Sequence, residues 1–179
     1  MTDIEKRLVH LLDLEDIRAV LRRYTRGLDR HDVAMIESAF WPDAQVNYLD
    51  AFSGDRDAFV AWGNAHHEGG YVVHQHHITN VNADIHGDEA HVESYVLYFL
   101  RTKDDKQNVG SGRYIDRFEQ RDGEWRIALR EFLPEMYLST PVGPRRPLPD
   151  PPGFSRWDRE DISYRRPLPR RGPTGADRD

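Results

Sequence analysis

At Tyr71 the hydrophobic periodicity of this 179-residue chain changes from 3.6 to 2. Before that point apolar residues recur at helical spacing: Leu8, Leu11 and Leu12, then Ile17, Val20, Leu21, Tyr24 and Leu28. After it, the runs 71–85, 89–102, 109–120 and 124–138 are rich in Val, Ile, Tyr, Phe and Thr. They are punctuated by His86-Gly87-Asp88, by a polar loop over 103–108, and by Arg121-Asp122-Gly123. Three consecutive hairpins predict an antiparallel meander. Helices first and one long antiparallel sheet afterwards is an α+β order, with the helices on one face of the sheet. No helices separate the strands, as βαβ units would require.

Within the first half, Thr2-x-x-Glu5 has the form of a capping box and predicts a helix over about residues 3–29, broken near Asp13–Asp16. Asp32 is suited to cap a second helix running to Phe40, where Trp41-Pro42-Asp43 stops it. Ala44–Tyr48 reads as a short strand. Asp55 or Asp57 begins a third helix through Ala58, Phe59 and Trp62 that ends before Gly69-Gly70.

Composition excludes several function classes. The chain has no cysteine, so thiolate catalysis, zinc–thiolate and iron–sulfur sites are out, and a cytoplasmic location is expected. A net charge of −6 argues against a nucleic-acid surface. No apolar run approaches the ~20 residues that cross a bilayer, and the amphipathic, acidic start lacks the form of a signal peptide. Residues 141–179 carry nine Arg against five Asp and one Glu, with nine of the 11 prolines. A compact domain over 1–140 and a Pro/Arg-rich extension over 141–179 are therefore expected. PVGPRRPLPDPP should be extended, and the aromatic residues after it (Phe154, Trp157, Tyr164) suit a segment that wraps a cavity mouth or a neighbouring subunit.

Chemistry is concentrated in RYTRGLDRHD and HQHHITN. Asp29 lies near a helix C-terminus, where the macrodipole disfavours a carboxylate by about 0.3–1 kcal/mol. A proton-donating partner would offset that cost; so would a surface cluster with Arg26 and Arg30. In an extended strand His74, His76 and Ile78 share one face, while Gln75 and His77 point to the other. A half-buried His76 would be pushed toward the neutral form that a base needs. The bland reading is a histidine bonded to a backbone carbonyl. His77 is its rival, since a bulge would exchange the faces.

Arg130 sits in an apolar strand and needs an anionic partner: a substrate, a developing oxyanion, Asp116 or Glu93. Tyr24 precedes Asp29 by five residues, about 140° round a helix, so the two meet only if the helix ends or bends. His74-x-His76 and His66-His67-Glu68 also offer metal ligands, but a third ligand at a recognisable spacing on a second strand is missing. No phosphate loop, dinucleotide fingerprint or serine elbow is present.

RYTRGLDRHD, FWPDAQVNY, HHITN, GDEAHVESY and GRYIDRFEQRDGEWRIALR together resemble the SnoaL-like branch of the nuclear transport factor 2 (NTF2-like) superfamily, over roughly residues 5–138. The resemblance implies a cone-shaped, cystatin-like fold: helices on a strongly curved antiparallel sheet that encloses a cavity. Related lyases, among them scytalone dehydratase, hexachlorocyclohexane dehydrochlorinase and bile-acid 7α-dehydratase, pair an Asp at this helix end with a His in this strand. That carries onto Asp29 and His76 as a catalytic dyad. It also carries onto Tyr48 as a group beside the leaving group, with Tyr24 and Arg130 as further substrate contacts; His77, the rival base, is a candidate substrate contact as well.

The implied activity is a lyase or isomerase without a cofactor, acting on a small hydrophobic, ring-containing substrate (aromatic, steroid or polyketide-like). A homodimer or homotrimer is expected. The alternative is a noncatalytic subunit or binding module, such as the small subunit of a ring-hydroxylating dioxygenase, or a polyketide cyclase.

Overall fold

The change of periodicity at Tyr71 is a helix–strand junction in the computed structural model, which describes residues 1–143 and 156–168. Helices α1 (Asp3–Arg30) and α2 (Val33–Glu37), strands β1 (Phe40–Tyr48) and β2 (Phe52–Asp55), and helix α3 (Arg56–Gly70) precede it. Strands β3 (Tyr71–His86), β4 (Glu89–Thr102), β5 (Lys106–Arg121) and β6 (Glu124–Pro141) follow, with a 3₁₀ turn at Ile162–Tyr164. The sheet order is β2-β1-β6-β5-β4-β3. Every pairing is antiparallel except β1 with β6. This is the expected α+β cone: α1 crosses the sheet over β3 and β6, and register shifts at 79–82, 111–112 and 117–118 bend the strands around it.

Helix α1 begins with the Thr2/Glu5 capping box. It is unbroken at Asp13–Asp16, contrary to expectation. Asp13 accepts hydrogen bonds from Trp125 Nε1 at 2.9 Å and Gln120 Nε2 at 3.4 Å, so its side chain ties the helix to the sheet instead of competing for the helix backbone. From Ile17 onward the helix is buried along Val20, Leu21, Tyr24 and Leu28, against Phe40, Val92, Phe118, Trp125 and Ile127. Leu8, Leu11 and Leu12, on the preceding turns, are exposed.

Several boundaries differ from the sequence reading: α3 runs through Gly69 and Gly70, and β5 begins at Lys106. Helix α2 stops at Glu37, because Phe40 already pairs with Ile127 as the first residue of β1. Pro42 is accommodated in the irregularity between the Phe40 and Gln45 pairings, where no ladder bond is required of it. Strand β2 carries only four residues (FSGD), too few for alternation to be visible, and it is held by pairing with β1.

Two glycines are required by close approach. A Cβ on Gly27 would stand 2.7 Å from Ile36 Cγ1, so α1 and α2 pack together only without one. A Cβ on Gly110 would collide with the ring of Tyr98, which leans across β5 toward the cavity. Residues Pro144–Ser155, and with them most of the expected extended segment and Phe154, lie outside the described residues. Among the described residues no helix is long and apolar enough to cross a membrane.

Candidate active site

The end of α1 sets the site. Asp29 is the penultimate residue of α1, and His31 caps the helix in the left-handed region (φ 50°). The unfavourable macrodipole at Asp29 is offset by donors from β3. Asp29 Oδ1 accepts from His76 Nδ1 at 2.8 Å and from His74 Nδ1 at 3.2 Å, and Oδ2 accepts from the His76 backbone N–H at 3.1 Å. Burial alone would raise this carboxyl, but the hydrogen bonds from His74 and His76 outweigh it and hold it at about 2. A carboxylate only accepts, so both imidazoles carry their proton on Nδ1. In the neutral ring, His76 Nε2 then presents a lone pair.

That lone pair faces a cavity. A partly open cavity of about 250 Å³ is lined by His76 together with Tyr48, Phe59, Trp62, Tyr98 and Phe132, among others. The walls are mostly aromatic. On its other side His76 touches a polar cleft between α1, β3 and the 156–168 segment, lined by Arg26, Asp29, Arg30 and Asp161. The segment packs on α1 through Arg26 to Ser163, through Tyr164 to Asp32 and through Trp157, which stacks on His31.

Tyr24 and Tyr48 share a 3.0 Å hydrogen bond between their hydroxyls, and both line the cavity. No bend in α1 is needed for this, because Tyr24 reaches the apolar cavity while Asp29 reaches the back of His76. Burial, with Tyr114 and Tyr24 close by, pushes the Tyr48 phenol well up, so it stays protonated as a donor.

Arg130 does not reach the cavity. Its Nε and Nη2 donate to the two oxygens of Asp116, each at 2.7 Å, and both side chains are fully buried. Its guanidinium lies over the rings of Tyr114 (3.9 Å) and Tyr24 (4.3 Å). Burial opposes the charge, and Asp116 more than restores it. Of the partners open to Arg130 at the outset, the geometry selects Asp116, and the residue supports the cavity floor from beneath. His77 is also not a cavity residue. Regular pairing of His74 to Thr79 with Leu100 to Tyr95 leaves no bulge at this point, and His77 lies exposed on the outer face against Phe99.

Sequence reasoning named His74 as a face-mate of His76 and as a candidate metal ligand, and the structure places it on the same carboxylate oxygen. It passed over His31, whose Nε2 stands 3.1 Å from His74 Nε2. His67, from the last turn of α3, packs against both His74 and His76. One ligand atom from each of His31, His67 and His74 lies within 4.8 Å of the others, and the same holds for Asp29, His74 and His76. The signal for the first set was dispersed over a helix cap, a helix end and a strand.

An α+β cone with an imidazole–carboxylate couple set in the wall of an apolar cavity defines an NTF2-like protein. The chain belongs to the SnoaL-like domain family, whose model matches residues 9–131. It is similar to a proposed scytalone dehydratase from Novosphingobium aromaticivorans, at 24% identity and a TM-score of 0.67, over 76% of this chain and 97% of that one. A hexachlorocyclohexane dehydrochlorinase from Novosphingobium barchaimii aligns at 16% identity and a TM-score of 0.67, over 80% and 100%. A Mycobacterium tuberculosis protein of unknown function aligns at 26% identity and a TM-score of 0.63, over 75% and 77%. No curated protein matches the chain.

Proposed function

We propose that the chain is a lyase or isomerase that starts its reaction by taking a proton from carbon. The observation that carries this reading is the 2.8 Å bond from His76 Nδ1 to Asp29, which leaves Nε2 as a free base against an apolar cavity. Nε2 removes a proton from a carbon next to a carbonyl or conjugated ring. The C–H electrons pass into an enolate-like system, and the imidazolium is stabilised by Asp29. Elimination follows when those electrons form a C=C bond and expel a group from the neighbouring carbon. Tyr48, hydrogen-bonded to Tyr24, donates to the departing oxygen or to the enolate oxygen. Return of the proton to another carbon would give isomerisation by the same groups.

The dehydratase and dehydrochlorinase among the similar structures support an elimination, with water the favoured leaving group. Aromatic walls around about 250 Å³ suit a compact ring-containing substrate with few charges. A homodimer or homotrimer belongs to the same proposal: Leu8, Leu11 and Leu12 of α1 and Met136, Tyr137 and Leu138 of β6 are each more than half exposed. Native mass by light scattering tests it, and a monomer at micromolar concentration would refute it.

The catalytic reading is tested with a panel of cyclic ketones and β-hydroxy or β-halo ring ketones in D₂O. Catalysed exchange of the α-hydrogen, followed by proton NMR, reports proton abstraction whatever the leaving group. Exchange that persists undiminished in both His76→Ala and Asp29→Asn would sink the dyad.

A further inference from the structure

Behind the dyad, His31, His67 and His74 bring imidazoles from α1, α3 and β3 to one buried point. The hydrogen positions there are in conflict. His74 must carry its proton on Nδ1 to donate to Asp29, so its Nε2 is a lone pair. His31 Nε2 stands 3.1 Å away and would have to be the donor. That leaves His31 Nδ1 bare, buried and without a hydrogen-bond partner among the described residues, with the Glu68 carboxylate 3.7 Å from it. A lone pair is thus set toward an anion. If both rings instead keep their protons on Nδ1, facing Asp29 and Glu68, two Nε2 lone pairs point at each other. Something positive belongs between them.

We infer that His31, His67 and His74 form a binding site for a divalent transition-metal ion, zinc by chemical preference. Two imidazole nitrogens on one tetrahedral zinc, each about 2.0–2.1 Å from it, stand about 3.3–3.4 Å apart. The His31–His74 spacing of 3.1 Å is within a few tenths of an ångström of that edge. His67 supplies the third nitrogen within 4.8 Å, and its Nδ1 is likewise buried without a hydrogen-bond partner. The fourth position is open to water.

Other features fit. Metal-bound imidazoles commonly donate their second N–H to a carboxylate, as His74 does to Asp29 and as His31 is placed to do to Glu68. Burial, with neighbouring histidines, lowers His31, His67 and His74 and keeps them in the neutral form that binds metal. Trp157 stacks on His31 with ring centroids 4.0 Å apart and reaches His74 at 5.0 Å, closing the cluster on the side of the C-terminal segment. The ion acts as a clip for three elements and holds Asp29, through His74, at the back of His76. It takes no part in proton abstraction, so the two proposals fail independently.

The test uses tag-free, chelator-stripped full-length protein titrated with zinc chloride by calorimetry, and with cobalt(II) by visible absorption. One zinc per chain, ligand-field bands of a tetrahedral nitrogen site and a Tm that rises with added zinc are expected. His31→Asn, which tolerates the same backbone, and His67→Gln should each weaken binding at least about tenfold, judged against the 10–100-fold effects of even indirect partners. His77→Gln, on the outer face, should not. Circular dichroism confirms folding of each variant. Absence of saturable zinc binding at micromolar concentration would overturn the proposal. So would affinity unchanged in both variants, or a proton shared between His31 and His74 that zinc does not displace.

Discussion

Two carboxylates in this fold each hold a basic side chain, and they do so in opposite ways. Asp116 takes both of its bonds from Arg130, at 2.7 Å each, with neither residue touching solvent or the cavity. Asp29 divides its oxygens among two imidazoles and a backbone amide, and one of those imidazoles keeps a free nitrogen facing a hollow. The first pair is closed: Arg130 occupies both oxygens of Asp116, and its remaining Nη1 is buried away from solvent. The second is open at one atom. A closed pair contributes position; an open one is where the proposed chemistry can start, because one imidazole nitrogen is not taken by the carboxylate. The difference comes from where each pair sits: mid-sheet under the floor of the cone for Arg130, and at the helix end beside its wide mouth for Asp29.

The sharpest way to break this comparison is at the open pair. His76→Ala should lower catalysed α-hydrogen exchange about 10³-fold, within the 10²–10⁴ attributed to a positioned base, and Asp29→Asn somewhat less. The Tm of His76→Ala should fall moderately, since the buried Asp29 carboxylate loses its 2.8 Å donor but keeps those from His74 and the residue-76 backbone N–H. The closed pair should show the reverse. Asp116→Ala leaves a buried guanidinium uncompensated and is expected to cost about 3–5 kcal/mol, read from urea unfolding. The double variant Asp116→Leu/Arg130→Met should recover much of that loss, because volume is kept and no charge remains. If Asp116→Ala instead kept its stability and lost exchange first, Arg130 would be a substrate contact and the contrast would fail.

Legibility in the sequence followed the same division. The cone was readable, because four long strands announce themselves by alternation and the helices before them by period 3.6. Asp29 and His76 were readable as candidates from a helix end and a strand face, and the structure brings them within a hydrogen bond. Arg130 was readable as a buried charge, but a strand position cannot tell a cross-strand partner from a ligand. Its pairing with Asp116 is a matter of register between β5 and β6. His77 was undecided for a related reason, since a single bulge would have turned it inward. The three-imidazole cluster was legible only in part: His67 and His74 stood among the candidate metal ligands, and His31 was missed. His31, His67 and His74 come from two helix termini and a strand, so no spacing in the chain groups them, only the approach of α1 to α3 and β3.

A smaller effect is expected from the hydroxyl pair that joins the two regions, with Tyr24 over Arg130 and Tyr48 on the cavity wall. Tyr48→Phe removes one donor and keeps the ring. The expected loss is about 1 kcal/mol of stability, and about tenfold in elimination rate, as for a stabilising donor of modest strength. Exchange of the α-hydrogen should fall less than elimination if the phenol serves the leaving group, and equally if it serves the enolate. The ratio of the two rates for one β-hydroxy ketone separates these roles.

The smallest effect concerns what shields the open pair from the rear. Asp161 is buried in the segment that covers the polar side of Asp29. It accepts from the backbone N–H groups of Arg156 and Ser163, each at 2.9 Å, and faces Arg30 at 3.7 Å. Burial would raise its carboxyl, but these bonds prevail and hold it at about 2. An unfolded Asp titrates near about 3.9, so the folded value is depressed. The segment's stabilisation from this group is therefore complete above about pH 4 and lost as pH falls toward 2. Asp161→Asn lacks it at every pH, at a local cost of about 1 kcal/mol. Protease cleavage within 156–168 should be faster in the variant at pH 6. The acid-stable protease pepsin, used near pH 2.5, should cut wild type and variant at similar rates. Elimination by the variant at pH 7 should fall no more than about twofold, by analogy with substitutions remote from the reacting atoms. A larger loss would mean that the segment does more than cover the back of the dyad, and that Asp29 depends on it for its place.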